Sequence, residues 1–250
     1  MKKWMVFLMA ISLLFCFSPG AMAKKKVYIN GIDANFPPFS YVDKSGHPAG
    51  FDVEALNWIA HKMGFKVIHK PMDWDGIIPN LLAKKIDIIA SGMSITPERE
   101  KVVNFTIPYW KIEQVFVVRK DSHLTVQDVL TGHKLLGVQR GTSEAEWLKK
   151  QKKKRGWNFT LRYYDSAPLA IVDLVNGRID AAAMDDAPAA DAVRKKPVKI
   201  LGTFGMPPEK FGYAVRKQDK KLLETLNTGL RLLMKDPYWQ HLIDKYHPGH

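Results

Sequence analysis

Short apolar runs alternate with segments whose apolar residues recur at helical spacing, and the alternation continues along most of the chain. Residues 26–32 read as a strand. Asp52 is placed to cap a helix with apolar positions Val53, Leu56, Ile59, Ala60 and Met63, and Gly64 is placed to close it. Residues 66–69 read as extended, 77–84 as a helix and 86–90 as the next strand, which together make one α/β unit.

The same architecture then repeats. Residues 135–138, 161–163, 179–184 and 198–201 read as strands, separated by helical patterns over 144–152, over 166–177 and over 188–194. The middle helix opens on Ser166-Ala167-Pro168 and ends at Asn176-Gly177. Two segments echo each other, VFVVRK at 115–120 and YAVRK at 213–217, one where the chain leaves each unit. Laid side by side, they would form a two-stranded hinge. The last helical patterns, 222–234 and 238–246, have no strands among them and are expected to pack back on the first unit. The pattern therefore predicts two α/β lobes, residues 24–115 with 214–250 and residues 116–213. Each is a mostly parallel sheet flanked by helices.

The chain opens with Lys2 and Lys3, an apolar run over 4–17, a Pro19-Gly20 break and a small-x-small Ala21-Met22-Ala23. The run is shorter than the about 20 residues of a membrane span, so residues 1–23 read as a cleaved signal peptide that sends the protein to the periplasm. The single cysteine, Cys16, lies inside it behind the bulky Phe15, which does not suit a lipid anchor. A mature chain starting at Lys24 has no cysteine, which excludes disulfides, thiol nucleophiles and cysteine-based zinc sites. Loss of Lys2 and Lys3 takes the net charge from +13 to +11. Much of that charge sits in KKQKKKRG, 149–156, where cations suit the negative end of a helix dipole. Export argues against nucleic acid as a partner.

Residues 86–100, IDIIASGMSITPERE, carry the first candidate chemistry. The end of a parallel strand is where open α/β folds bind small ligands. There Ser91, Gly92 and Ser94 offer hydroxyls and backbone groups, and Arg99 offers a planar fork suited to a carboxylate. The stretch Thr96-Pro97-Glu98-Arg99 also fits the start of a short surface helix with Arg99 in a salt bridge. In GVQRGTSEAEW, 137–147, Gly141, Thr142 and Ser143 precede a helix whose first amides suit an anion. In DAAAMDDAP, 180–188, a strand delivers Asp185 and Asp186 to its end; Asp186 fits a helix cap, and Asp185 a ligand cation. An arginine on one lobe and an aspartate on the other complement a zwitterion such as an α-amino acid.

Over essentially its whole mature length the chain resembles the polar amino-acid-binding receptors of bacterial ABC importers, the extracellular solute-binding proteins of family 3. The resemblance is carried by FPPFSY (36–41), GFDVE (50–54), WDGIIPNL (74–81), IDIIASGMSITPERE, GVQRGTS and DAAAMDD, in that order. It implies a type II periplasmic binding protein fold, two α/β lobes closing on a ligand about a two-strand hinge. By the same resemblance Arg99 clamps the ligand α-carboxylate with the amides of Ser94 and Ser143. Asp185, the Gly92 carbonyl and the Ser94 hydroxyl accept the α-ammonium, and Phe36 and Trp74 are aromatic walls. Ser91, Met93 and Thr142 complete the binding set, while Asp52 caps its helix. Asp33 matches a position that faces a polar ligand side chain, which favours a basic or amide amino acid, with Gln139 and Met184 lining the same region. Arg140 and Glu144 are each free to point to solvent. The implied partners are an inner-membrane ABC permease and its ATPase, the implied state is a monomer, and no cofactor or catalytic residue is implied. His241, Asp244, His247 and His250 read as a solvated tail. A signalling sensor and a secreted dehydratase on the same fold are the alternatives, the latter needing a general acid that the sequence does not single out.

Overall fold

The chain crosses between two sheets twice, at Trp110–Ile112 and at Glu209–Phe211, and these two segments pair with each other as an antiparallel ribbon. The structure, a computed structural model, describes residues 26–246. The predicted signal peptide, His247 and His250 lie outside the described residues. Among the described residues no helix is long and apolar enough to cross a membrane.

The first lobe is a five-stranded sheet in the order Lys66–Met72, Val27–Asp33, Ile88–Ile89, Ala214–Arg216, Val103–Phe105. The second has the order Thr160–Tyr164, Leu135–Gln139, Ala181–Asp185, Gln114–Arg119, Val198–Thr203. In each sheet the first three strands are parallel, and the fourth runs antiparallel to both its neighbours. This corrects which segments form the two-strand connection. The echoing segments do not pair with each other; each supplies the inserted fourth strand of its own lobe, directly after a ribbon strand. Their apolar character fits that place, because a strand inside a sheet covered on both faces reads as a continuous apolar run. Gln114–Val118 is buried throughout.

Lobe one is covered by the helix Phe51–Met63 and, as expected, by the closing helices Lys220–Leu233 and Pro237–Tyr246. Leu226, Leu230, Leu233 and Leu242 bury their side chains completely there. Gly229 lets two helices approach closely, since a Cβ on it would stand 2.4 Å from Ile59 Cγ2. The expected strand over 86–90 is only Ile88–Ile89 as a ladder. Beyond it the Asn30 side chain takes over, accepting from the Ala90 amide (2.8 Å) and donating to its carbonyl (3.3 Å). The basic tract ends the helix Ser143–Arg155, closed by left-handed Gly156, with the Arg155 guanidinium 5.1 Å from the Trp157 ring centre.

Candidate functional site

The two sheets point the C-terminal ends of their parallel strands at each other, and the cleft between them collects Asp33, Ser91, Gln139 and Asp185 from those ends. This is where ligands bind in open α/β sheets.

On lobe one the turn after Ile89 is held from three sides. The Ser91 hydroxyl accepts from the Asp33 amide at 2.9 Å and meets the Ser40 hydroxyl at 2.7 Å. Gly92 is left-handed at φ 56°, and a Cβ there would lie 2.4 Å from the Phe36 ring, so glycine is required both by conformation and by space. Its amide donates to Asp52 Oδ2 at 2.6 Å, and the Tyr109 hydroxyl donates to the same oxygen at 2.9 Å. Asp52 was expected to cap its helix. Instead the N-cap is Gly50 without a side-chain cap bond, and Asp52 is fully buried, holding the Gly92 peptide from below. Burial pushes its carboxyl up to about 7, against the two hydrogen bonds that favour ionisation.

Thr96 caps the short helix Pro97–Glu100 by accepting from the Arg99 amide, so the helix start expected of this stretch is present. The Arg99 guanidinium donates to the Ser94 carbonyl at 3.0 Å and across the cleft to the Gly141 carbonyl at 3.2 Å. It stands 5.4 Å from the Trp74 ring centre, within cation–π range. Trp74 is set by the single 3-10 turn Trp74–Gly76, and its indole N–H also reaches the Gly141 carbonyl at 3.2 Å.

On lobe two, Thr142 caps the helix Ser143–Arg155 and donates its hydroxyl to the Gln139 carbonyl at 2.9 Å. Ser143 donates to Glu209 Oε2 at 2.6 Å. Asp185, at the end of its strand, accepts from Gln114 Nε2 at 2.9 Å. Burial holds the Asp185 carboxyl well above the usual carboxylate range, and Glu144 adds to the effect. Gln139 Nε2 donates across the cleft to Asp33 Oδ2 at 2.7 Å, while Asp33 Oδ1 accepts from the Asn35 amide at 2.9 Å. Asp33 too is raised by its burial.

All the predicted site residues but Met93 line one cavity: Asp33, Phe36, Trp74, Ser91, Gly92, Ser94, Arg99, Gln139, Thr142, Ser143 and Asp185. Met93 is fully buried in the lobe-one core with Ile77 and Ile89. It follows the left-handed turn at Gly92, and its side chain lies away from the cavity. The expectation for Glu144 is also corrected. It lines the cavity and is buried, and burial pushes its carboxyl up to about 7. Its place in the first turn of a helix aimed at the cleft was the available signal. Arg140 stays half-exposed at the rim, near Asp75 (3.8 Å) and Asp165 (3.5 Å). Asp186 begins the helix Asp186–Lys195 rather than capping it, and accepts from the Glu113 amide at 3.3 Å.

The profile of the bacterial extracellular solute-binding proteins, family 3, matches residues 28–249. The chain is 33% identical over 253 residues to the ABC transporter arginine-binding protein 1 of Escherichia coli strain K12, covering 99% of this chain and 100% of that one. It is 31% identical over 258 residues to a probable histidine-binding protein of Neisseria gonorrhoeae, covering 98% and 96%. The solved structure of an ancestral arginine-binding protein bound to arginine superposes with a TM-score of 0.81 at 38% identity, covering 89% of this chain and 99% of that one.

Proposed function

This chain belongs to the bacterial extracellular solute-binding proteins of family 3, and from that premise we propose that it is a periplasmic receptor that closes on a cationic amino acid and delivers it to an ABC permease. The observation that carries the ligand class is the charge of the cavity. Asp33, Glu144 and Asp185 line it against one cation, Arg99. An α-carboxylate on Arg99 and an α-ammonium at Asp185 account for the head group. Asp33 then remains for a side-chain cation, as in arginine, lysine, ornithine or histidinium. The arginine and histidine named for the relatives above are in keeping with this class.

Closure follows from the cross-cleft contacts. The Trp74–Gly141, Arg99–Gly141 and Gln139–Asp33 hydrogen bonds exist only when the lobes meet, and the ribbon Trp110–Ile112 with Glu209–Phe211 is where the chain bends. A ligand that bridges Arg99 and Asp185 has contacts with both lobes only in the closed state, and so shifts the population towards it. Gln139 shares Asp33 with the incoming side chain, which makes that end of the cavity sensitive to what the ligand offers.

Asp33→Asn tests the ligand class. Loss of a charge-assisted hydrogen bond removes about 1.5–3 kcal/mol, so arginine is expected to bind roughly ten- to a hundredfold more weakly while glutamine changes little. Fluorescence titration through Trp74 reads both. Equal losses for the two ligands would refute the side-chain role of Asp33.

A further inference from the structure

The basic tract over 149–155, KKQKKKR, at the end of the helix Ser143–Arg155, has no place in the amino-acid site. Its side chains divide into two sets. Arg155 donates to Gln151 at 2.9 Å and stands 5.1 Å from the Trp157 ring centre, and Lys152 stands 5.5 Å from that of Phe159. Lys149, Lys150, Lys153 and Lys154 are exposed, and among the described residues their side chains have no ion pair, hydrogen bond or ring contact. At about 100° per residue these four fall within about 140° of the helix circumference, so they form one face of unpaired ammonium groups.

The helix dipole accounts for cations in the last turn but not for this face. Lys149 with Lys153, and Lys150 with Lys154, are like charges at i and i+4, an arrangement that weakens a helix in water. Glu146, the exposed acid on this helix, lies a turn earlier and forms an ion pair with none of them. A surface of opposite charge laid against the face removes the repulsion. The residues also indicate what kind of surface fits. Lysine is a mobile point charge without the planar fork that grips one carboxylate or phosphate, and no large apolar side chain of residues 143–159 is exposed beside the four. That suits a diffuse array of anions, not a peptide seated in a groove or a hydrophobic insertion.

We infer that this face of lobe two rests on the anionic phospholipid headgroups of the membrane that carries the permease. The inference takes its compartment from the periplasmic reading above and is otherwise independent of the ligand. Thr142 and Ser143, where the helix starts, line the cavity, and at 1.5 Å per residue Lys153 and Lys154 stand roughly 15 Å further along its axis. The lipid contact therefore leaves the ligand contacts untouched while it keeps the receptor close to the membrane. Each lysine near such a surface strengthens partitioning about fivefold, so the four together give several hundredfold.

The test is cosedimentation of the mature chain with vesicles of phosphatidylcholine and phosphatidylglycerol, about 7:3, and with vesicles of phosphatidylcholine alone. Binding is expected to the first only, and about 0.5 M salt should release it. Replacing Lys149, Lys150, Lys153 and Lys154 together by Gln should lower the partition coefficient at least about a hundredfold. Replacing the exposed lobe-one lysines Lys44, Lys70, Lys85 and Lys235 by Gln removes the same net charge and should cost far less. Calorimetry with arginine should give the wild-type affinity for both variants. No binding of the wild type to the anionic vesicles at low salt, or equal losses in the two variants, overturns the inference and leaves the amino-acid reading intact. Binding to soluble polyglutamate but not to the vesicles would assign the face to an acidic protein and overturn it as well. Vesicle binding by protein that takes up no arginine would count against the amino-acid reading alone.

Discussion

Arg99→Ala is expected to raise the dissociation constant for a cationic amino acid by roughly a hundred- to several-thousandfold, with the fold retained. Breaking a buried ion pair by removing one partner costs about 3–5 kcal/mol, because the other charge is left uncompensated. Here the charge left behind would be the ligand α-carboxylate, in a cavity whose remaining charged side chains, Asp33, Glu144 and Asp185, are all acidic. The variant also loses the hydrogen bond from Arg99 to the Gly141 carbonyl, one of the contacts that hold the lobes together. Arg99→Lys keeps the charge but not the fork that reaches Ser94 and Gly141 at once, so it should fall between the two. Calorimetry measures the affinities and thermal melting checks the fold. An Arg99→Ala affinity within about fivefold of wild type would remove Arg99 from the head-group site.

The second large effect concerns Asp52, which touches the site only through the Gly92 amide. In the unfolded chain its carboxyl titrates at the ordinary value of 3.8, and in the fold at about 7. A group whose folded value is raised contributes stability when protonated, below about pH 4, and that contribution is lost as pH rises through about 7. At about 1.4 kcal/mol per unit, the interval amounts to roughly 4 kcal/mol. Asparagine keeps an acceptor for the Gly92 amide and the Tyr109 hydroxyl but does not ionise. Stability of Asp52→Asn relative to wild type should therefore swing in the variant's favour by about 4 kcal/mol between about pH 4 and 8. Asp43, Asp128 and Asp173, whose carboxyls are held below the usual range by hydrogen bonds, push stability the other way with pH, but they are common to both proteins and cancel in the difference. Urea unfolding across that pH range reads the swing, and parallel profiles for the two proteins would show that Asp52 is not the buried acid described here.

The same carboxylate ties the site to the ribbon. Tyr109 immediately precedes the strand Trp110–Ile112, and Ser94 bridges to Phe211 on the partner strand. The turn at Gly92 is therefore fastened to the ribbon through Tyr109 and through Phe211.

Much of this was legible before the fold was known, and for identifiable reasons. Apolar runs of strand length separated by helical periodicity revealed both lobes, because a sheet covered on two faces leaves few alternating positions to misread. Arg99 and Asp185 stood out because charged residues directly beyond buried strands have few purely structural uses. What escaped notice depended on direction rather than identity. Beyond the left-handed Gly92, Met93 faces the core, and residue identity there did not reveal the local backbone. Asp52 looked like a cap because acidic residues are common at helix starts; only the tertiary approach of Gly92 and Tyr109 gives it another task. Glu144 looked solvated for the same reason, and only the tertiary approach of Arg99 and Glu209 gives it other surroundings. The two Val-Arg-Lys segments were alike because they fill equivalent places in two sheets, which sequence similarity alone could not distinguish from pairing.

The measurement to make first is a calorimetric titration of refolded, ligand-stripped protein with arginine, lysine, histidine, glutamine, glutamate and leucine. Saturable binding that is tightest for a cationic amino acid, weaker for glutamine and absent for glutamate and leucine is the expected result. Tightest binding of glutamate or leucine, or no binding of any amino acid by protein shown to be folded, would contradict the cavity charge as the basis of recognition.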